Sequence, residues 1–305
     1  MSGAQSRPQV ERVEIDELPC WRVRTATAEL LVAQQGAQIL SYQRHGERPL
    51  IWLSEQAEFK QGQSVRGGVP LCWPWFGNLL RNPQAVQALY QVGPLAPAHG
   101  LVRGLDWQLL GIDSQDDGVS LEFVFNSLEQ PLPSWPHAAE LRLGIRLDER
   151  LHLNLSNRNL GDTPLTISQA LHSYFAVGDI RQAEVEGLHG CRYVETLEDW
   201  QQRQQSGALG FAGETDRIYL DTPAQLSIRD PAWQRRIQLH SSGSGSAVLW
   251  TPWVDKARRL SQFDDAAWPG MLCVEHGNLL NDMLVLAPGA EHQLNLSLWA
   301  EPLSD

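Results

Sequence analysis

Short runs in which apolar and polar residues alternate extend along most of the chain. Residues 119–125 alternate with a period of two, and residues 140–147 and 151–155 do the same on either side of Asp148-Glu149-Arg150. Such alternation is typical of strands with one buried face. At least twelve such runs occur, and no segment keeps a helical period with caps at both ends. We therefore predict an all-β fold, a large antiparallel β-sandwich that forms a single domain over residues 1–305.

Residues 164–177 form the predicted strand whose two faces differ most in chemistry. Leu165 and Leu171 share one face, whereas His172 and Tyr174 fall on the other, among small and polar residues. A small, polar strand face with one histidine and one tyrosine suits a ligand groove. A solvated outer face of a sheet gives the same pattern. The alternation alone leaves both interpretations open.

Residues 66–77 form neither a regular helix nor a central strand. The segment reads Arg-Gly-Gly-Val-Pro-Leu-Cys-Trp-Pro-Trp-Phe-Gly. Its prolines lack an amide donor and restrict the residues before them, and its glycines loosen the backbone. We interpret it as a shaped loop that offers aromatic faces and a fixed cation, as sugar sites do. A loop that plugs the core with its own tryptophans is the alternative, and the composition supports both.

The composition of the chain excludes several kinds of partner. The net charge is −12 over 305 residues, without a run of five like charges, so we expect no nucleic-acid partner. No stretch approaches about eighteen apolar residues and the N-terminus lacks the apolar core of a signal peptide, so we expect no membrane partner. The four cysteines are widely spaced, which favours reduced thiols in the cytoplasm. We also expect a monomer whose residues 1–12 form a flexible tail.

Two sets of polar residues are candidates for a site. The first set is His99, His172, Asp216 and Glu275. A histidine titrates near neutral pH and a buried carboxylate can be tuned towards it, so the two can transfer protons as a pair. The second set is Arg66, Arg103 and Lys256, whose charges suit phosphate oxygens. Unrelated polar residues and surface cations would give the same sets. No histidine pair or cysteine group has the spacing of metal ligands, so we expect no metal.

Six blocks of sequence resemble a known family when they are taken together and in order. They are Arg66-Gly-Gly-Val-Pro-Leu-Cys-Trp-Pro-Trp-Phe-Gly77, His99-Gly-Leu-Val-Arg103, Leu171-His-Ser-Tyr-Phe175, Asp216-Arg-Ile-Tyr219, Trp250-Thr-Pro-Trp-Val-Asp-Lys256 and Cys273-Val-Glu-His-Gly-Asn278. The chain resembles the hexose-6-phosphate mutarotases, the glucose-6-phosphate 1-epimerase branch of the aldose 1-epimerase family, from about residue 20 to residue 300. The first block favours the sugar-phosphate branch over mutarotases of free sugars.

The resemblance implies a galactose mutarotase-like β-sandwich with an open sugar-binding groove, no cofactor and a hexose 6-phosphate as substrate. Members of the family interconvert the α and β anomers of an aldose by opening and closing the ring. Carried over to this chain, Glu275 would be the base that takes the proton of the C1 hydroxyl. His172 would be the acid that protonates the ring oxygen O5.

The resemblance also implies a set of substrate contacts. One histidine would bind near O5, one carboxylate would hold ring hydroxyls, cations would bind the 6-phosphate and an aromatic ring would face the sugar. The residues in these roles would be His99, Asp216, Arg66, Arg103, Lys256 and either Trp75 or Phe76.

Three other functions are compatible with the sequence. A non-catalytic sugar-phosphate-binding or regulatory protein could share the scaffold, although it would not need both His172 and Glu275. A mutarotase of free aldoses would act equally on galactose and on glucose 6-phosphate. A glycosidase would need two carboxylates that flank the glycosidic bond, and Glu275 is the one carboxylate that a sequence motif supports.

Overall fold

The alternating pattern folds into strands joined mostly by tight turns. A computed structural model of the protein describes residues 8–91 and 96–303. In chain order the first strands are β1 (Gln9–Ile15), β2 (Leu18–Arg24), β3 (Ala28–Ala33), β4 (Ile39–Arg44), β5 (Leu71–Cys72), β6 (Gln108–Gln115), β7 (Gly118–Asn126), β8 (Ala139–Leu147), β9 (Leu151–Asn159), β10 (Leu165–Ile167), β11 (Gln169–Leu171) and β12 (Tyr174–Ala176). The remaining strands are β13 (Glu184–Glu186), β14 (Arg192–Glu195), β15 (Gln201–Gln204), β16 (Leu209–Gly210), β17 (Thr215–Leu220), β18 (Gln225–Asp230), β19 (Arg235–Ser242), β20 (Ser246–Thr251), β21 (Met271–Asn278), β22 (Leu284–Leu286) and β23 (Glu291–Pro302).

Helices are short in the described residues. The α-helices are α1 (Gln84–Gln87) and α2 (Trp253–Ala257), and the 3₁₀ turns are Leu79–Arg81, Pro231–Trp233, Trp268–Gly270 and Leu280–Asp282. Within residues 8–91 and 96–303, no helix is long and apolar enough to cross a membrane.

Two large antiparallel sheets dominate the fold. One has nine strands in the order β16-β13-β18-β19-β23-β9-β8-β7-β6. The other has eight, in the order β15-β14-β17-β20-β21-β11-β5, with β12 also paired to β21. Strands β1 to β4 form a separate four-stranded meander, and β10 pairs with β22. Neighbours along the chain are often neighbours in a sheet, which is typical of antiparallel folds.

The core lies between the two large sheets. Leu143 on β8 belongs to the same buried cluster as Leu249 on β20 and Val274 on β21. Side chains alternate across a strand, so Val248 and Glu275 lie on the opposite face of the eight-stranded sheet. That face is turned away from the core, and a cavity lined by Val248 and Glu275 lies on it. The arrangement confirms the predicted antiparallel β-sandwich.

Two predictions about local structure need correction. Residues 164–177 do not form one strand, because the run is divided into β10, β11 and β12. The flexible tail predicted for residues 1–12 is wrong from residue 9 onwards, where β1 pairs with β2 and Val10 packs against the core. Residues 1–7 lie outside the described residues.

The loop of residues 66–77 is fixed at several points. The amide of Gly68 donates to the carbonyl oxygen of Trp52 at 2.7 Å, and β5 pairs with β11. The indole of Trp73 is fully buried and donates from Nε1 to Oδ1 of Asn157 at 3.2 Å. The middle of the loop therefore plugs the core, while its two ends remain available for a site.

Gly100 lies where the loop leaves no room for a side chain. Its φ is +80°, and an added Cβ would lie 1.9 Å from the carbonyl oxygen of Trp73. We expect Gly100→Ala to lower the free energy of unfolding by more than about 2 kcal/mol, because the left-handed backbone alone costs an L-residue about 1–2 kcal/mol and the clash adds to it. Urea denaturation measures the loss. The matched control is Gly46→Ala, where φ is +79° and no atom lies within 4 Å of the added Cβ. Equal losses in the two variants would contradict the role of the clash.

Candidate active site

A cavity of about 470 Å³ opens on the outer face of the eight-stranded sheet. Strands β17, β20 and β21 and the segment that joins β11 to β12 form its floor. The walls come from segments 76–82, 196–200, 256–260 and 279–280. Because this face is turned away from the core, the polar groups on it can serve a ligand without disturbing the packing between the sheets.

Strand pairing brings His172 and Glu275 together. Leu171 is paired with His276 and Tyr174 with Cys273, so the same register places His172 opposite Glu275. Opposite residues of an antiparallel pair point to the same face of the sheet. His172 Nε2 lies 3.4 Å from Glu275 Oε2, and both side chains line the cavity.

A local break in the strand fixes the histidine. The amide of His172 donates to the carbonyl oxygen of Pro70 at 2.9 Å. The amide of Tyr174 donates to the carbonyl oxygen of Gly68 at 3.0 Å. The imidazole stacks on the ring of Tyr174, with centroids 4.8 Å apart and planes 12° from parallel. His172 is 6% exposed, so the solvated outer face considered from the sequence is excluded.

Burial controls the protonation of the pair. It raises the pKa of Glu275 well above the usual range of a carboxyl, and nearby Asp216 adds to this effect. It lowers the pKa of His172 well below that of a free histidine, with His99 and Arg103 contributing. Within the described residues, Glu275 Oε2 and His172 Nδ1 have no hydrogen-bond partner. Burial therefore favours the uncharged form of each side chain. Both residues line the cavity, where a ligand can meet them.

His99 presents one defined tautomer to the cavity. Its Nδ1 accepts a hydrogen bond from the Gly77 amide at 3.3 Å and lies 3.3 Å from the Cys72 sulfur. An acceptor nitrogen carries no proton, so the proton of the neutral ring is on Nε2. Burial and the charge of Arg103 lower the pKa of His99 to about 3, which keeps the ring neutral. His99 is thus a hydrogen-bond donor that does not change its charge near neutral pH.

Asp216 adds a carboxyl to the cavity wall. It lies on β17, paired with Trp250 on β20, and both residues line the cavity. Burial raises the pKa of Asp216 to about 6. A carboxyl of this kind can accept hydrogen bonds from hydroxyl groups, or donate one when protonated.

Cations lie at the wall and the mouth of the cavity. Arg66 donates to Tyr174 Oη at 3.4 Å and to the carbonyl oxygen of Ser261 at 3.3 Å. Lys256 on α2 is 3.8 Å from Glu214. Among residues 8–91 and 96–303, no ion pair involves Arg66, so its guanidinium is free to pair with an anion.

Arg81 is a cavity residue that the sequence did not indicate. Its guanidinium lies 5.1 Å from the centroid of the Trp200 ring, and both side chains line the cavity. An arginine in an irregular, polar segment carries no distinguishing pattern. Its position four residues after the loop of residues 66–77 is the one hint in the sequence, and it does not identify Arg81 as a cavity residue.

Two of the residues implied by the resemblance do not line the cavity. Phe76 does so, but Trp75 is 1% exposed and donates from Nε1 to the carbonyl oxygen of Pro97 at 2.9 Å. Consecutive residues of an extended segment point to opposite sides, which directs Trp75 into the core. Arg103 donates instead to the carbonyl oxygen of Ala98 at 2.8 Å. Its charge influences the cavity histidines without its side chain lining the site.

Comparison with solved structures defines the class of protein. A crystal structure of a "putative mutarotase" from Salmonella typhimurium matches with a TM-score of 0.85 and 30% sequence identity, over 96% of this chain and 94% of that chain. A galactose mutarotase-like protein from Clostridium acetobutylicum matches with a TM-score of 0.73 over 97% of this chain and 99% of that chain, at 15% identity. The protein therefore has the galactose mutarotase-like fold.

Sequence comparison then gives the family. The sequence profile of aldose 1-epimerase matches residues 19–299. A protein of Escherichia coli (strain K12) named "Putative glucose-6-phosphate 1-epimerase" is 34% identical over 272 residues, which are 89% of this chain and 87% of that protein. The chain belongs to the aldose 1-epimerase family, and the resemblance noted in its sequence is confirmed. It is an enzyme of the epimerase class.

Proposed function

We propose that the protein interconverts the α and β anomers of a hexose 6-phosphate, glucose 6-phosphate above all. The observation that carries the proposal is the separation of 3.4 Å between His172 Nε2 and Glu275 Oε2 on the cavity floor. In ring opening, one proton leaves the hydroxyl on C1 and another reaches O5. Both oxygens are bonded to the same carbon, so the base and the acid have to lie side by side.

The reaction follows from this pair. Burial favours the uncharged pair, and its ion-pair form, a Glu275 carboxylate beside a His172 imidazolium, holds the same number of protons. In that reactive form Glu275 takes the proton of the C1 hydroxyl while His172 gives its proton to O5. The C1–O5 bond breaks as the double bond between C1 and its oxygen forms. Both side chains are then uncharged, which is the state that burial favours. After rotation about C1–C2 the two transfers run in reverse, and the ring closes as the other anomer.

The remaining cavity groups suit a phosphorylated sugar. His99 donates from Nε2 towards O5, Asp216 binds ring hydroxyls, and Phe76 covers part of the ring. A phosphate monoester carries about −1.5 to −2 charge at pH 7, and Arg66 and Lys256 supply opposite charge inside an otherwise acidic protein. We add Arg81 to this group and leave out Arg103, because Arg81 lines the cavity and Arg103 does not.

Anomer exchange of glucose 6-phosphate, followed by NMR magnetisation transfer, tests the proposal. The wild-type protein should accelerate exchange well above the spontaneous rate. No acceleration would support the alternative of a non-catalytic sugar-phosphate-binding protein. Equal acceleration with galactose and with glucose 6-phosphate would support a mutarotase of free aldoses instead.

Replacing Arg66 should weaken binding of the 6-phosphate group without affecting binding of the sugar ring. We expect Arg66→Ala to raise KM for glucose 6-phosphate by about 10- to 100-fold, since a hydrogen bond to a charged group contributes about 1.5–3 kcal/mol. The rate with free glucose should change little. Arg142→Ala, on the exposed outer face of β8, is the matched control and should leave both substrates unaffected. An equal loss with both sugars would contradict a phosphate contact.

A further inference from the structure

A fully buried cysteine, Cys273, lies beside the acid/base pair without lining the cavity itself. Cys273 and Glu275 are two residues apart on β21, so their side chains point to the same face. Cys273 is paired with Tyr174, two positions along the strands from the pairing of Glu275 with His172. Ligand atoms of His172, Cys273 and Glu275 all lie within 4.8 Å of one another, and all three residues are buried. Sequence spacing gave no sign of this triad, because strand pairing assembles it.

The three ligand types select a particular kind of ion. Imidazole, thiolate and carboxylate together are ligands of Zn²⁺, whereas Mg²⁺ and Ca²⁺ prefer oxygen alone. Tetrahedral coordination at the usual Zn–N, Zn–O and Zn–S distances places ligand atoms roughly 3.3–3.6 Å apart. The separation of 3.4 Å between His172 Nε2 and Glu275 Oε2 already meets that requirement. The widest separation allowed for the triad, 4.8 Å, would have to close by roughly 1 Å, which rotation of a thiol or a carboxylate can supply.

We propose that His172, Cys273 and Glu275 form an inhibitory Zn²⁺ site. The ion would bind His172 Nε2, Glu275 Oε2 and Cys273 Sγ, and its fourth position would face the cavity. On binding, the Cys273 thiol releases its proton to solvent. The bound ion occupies the lone pairs that the acid/base step needs, so catalysis stops until the ion leaves. Binding of the ion depends only on the geometry of the triad, whereas inhibition rests on the proposed acid/base roles of His172 and Glu275.

Two of the other three cysteines, Cys191 and Cys72, are the competing sites for a thiophilic ion. All four cysteines are free, and Cys191 is the one that is partly exposed. Cys72 lies beside His99, with 3.3 Å between Sγ and Nδ1. A test of the proposal therefore has to distinguish Cys273 from these two.

The first experiment measures binding on the full chain without sugar. Metal-depleted protein is titrated with ZnCl₂ by calorimetry and with Co²⁺ by absorption, where a thiolate ligand gives a sulfur-to-cobalt charge-transfer band. We expect one equivalent to bind with that band present. Loss of a residue that only supports a metal ligand typically costs about 10- to 100-fold in affinity, so Cys273→Ser should weaken Zn²⁺ binding by more than that and abolish the band. Cys191→Ser and Cys72→Ser should keep both.

The second experiment measures inhibition. Cys273 takes no part in the proton transfers, so Cys273→Ser should retain anomer exchange and lose its sensitivity to Zn²⁺. Cys273→Ala serves the same purpose if the serine variant does not fold. The proposal is overturned if both variants bind Zn²⁺ as the wild type does, or if the band disappears in Cys191→Ser or Cys72→Ser instead. Because binding is measured without sugar, a failed zinc site and a failed anomerase are distinguishable.

Discussion

Replacing Glu275 with glutamine is expected to lower kcat/KM for anomer exchange by about 10²- to 10⁴-fold, the usual contribution of a positioned acid or base. The amide keeps the size of the side chain but cannot accept the proton of the C1 hydroxyl. His172→Asn should cause a loss of similar size, because the pair transfers two protons in one step. NMR magnetisation transfer with glucose 6-phosphate measures both effects.

The double variant tests whether His172 and Glu275 act as a unit. Residues that act as a unit have non-additive effects, so His172→Asn with Glu275→Gln should be scarcely slower than either single variant. Glu122→Gln, on the exposed outer face of β7, is the matched control and should keep the wild-type rate. If Glu275→Gln and His172→Asn both retained full activity, the assignment of acid and base would be wrong even if the protein is a mutarotase.

Acid should destabilise the protein through His276. This residue is fully buried on the core face of β21, and neither ring nitrogen has a partner within residues 8–91 and 96–303. Burial lowers its pKa from 6.5 to about 4. Between those values the unfolded chain binds a proton that the folded chain does not, so stability falls as the pH falls. The difference amounts to about 3 kcal/mol by pH 4.

Two substitutions isolate this contribution. His276→Leu and His276→Gln remove the titrating group, so each should flatten the loss of stability between pH 6.5 and 4 by about 3 kcal/mol relative to wild type. Urea denaturation across that range is the measurement. The matched control is His240→Gln, which replaces an exposed histidine on β19. The raised pKa of Asp216 acts in the opposite direction near pH 4 to 6 but is common to all variants. An unchanged slope in both His276 variants would refute the argument.

Much of the sandwich could be predicted because most strands bury one face. The alternation of residues 119–125 and 140–147 reflects a strand with a core side and a solvent side, and β7 and β8 occur there. The pattern failed at residues 164–177 for a physical reason. There the backbone pairs with Gly68 and Pro70, about a hundred positions away, and such pairing leaves no local trace in the sequence.

The site was predictable where a motif marked it and not elsewhere. His172 and Glu275 came from blocks that resemble a family, and strand register explains why they meet. The resemblance did not resolve which of two adjacent aromatics faces the cavity, and Trp75 proved to be core. It also led to Arg103, whose charge influences the site from outside the cavity lining. Arg81 required the three-dimensional structure, because no motif surrounds it.

The positions of the reacting pair and of the cations have an evolutionary consequence. Strand pairing holds His172 and Glu275 at the floor of the cavity. The cations Arg66, Arg81 and Lys256 come from the surrounding loops and a short helix. Loops tolerate substitution and insertion far better than the sheets that carry them. A lineage with this architecture can therefore change which sugar it accepts by altering a few loop residues, and still inherit its chemistry unchanged.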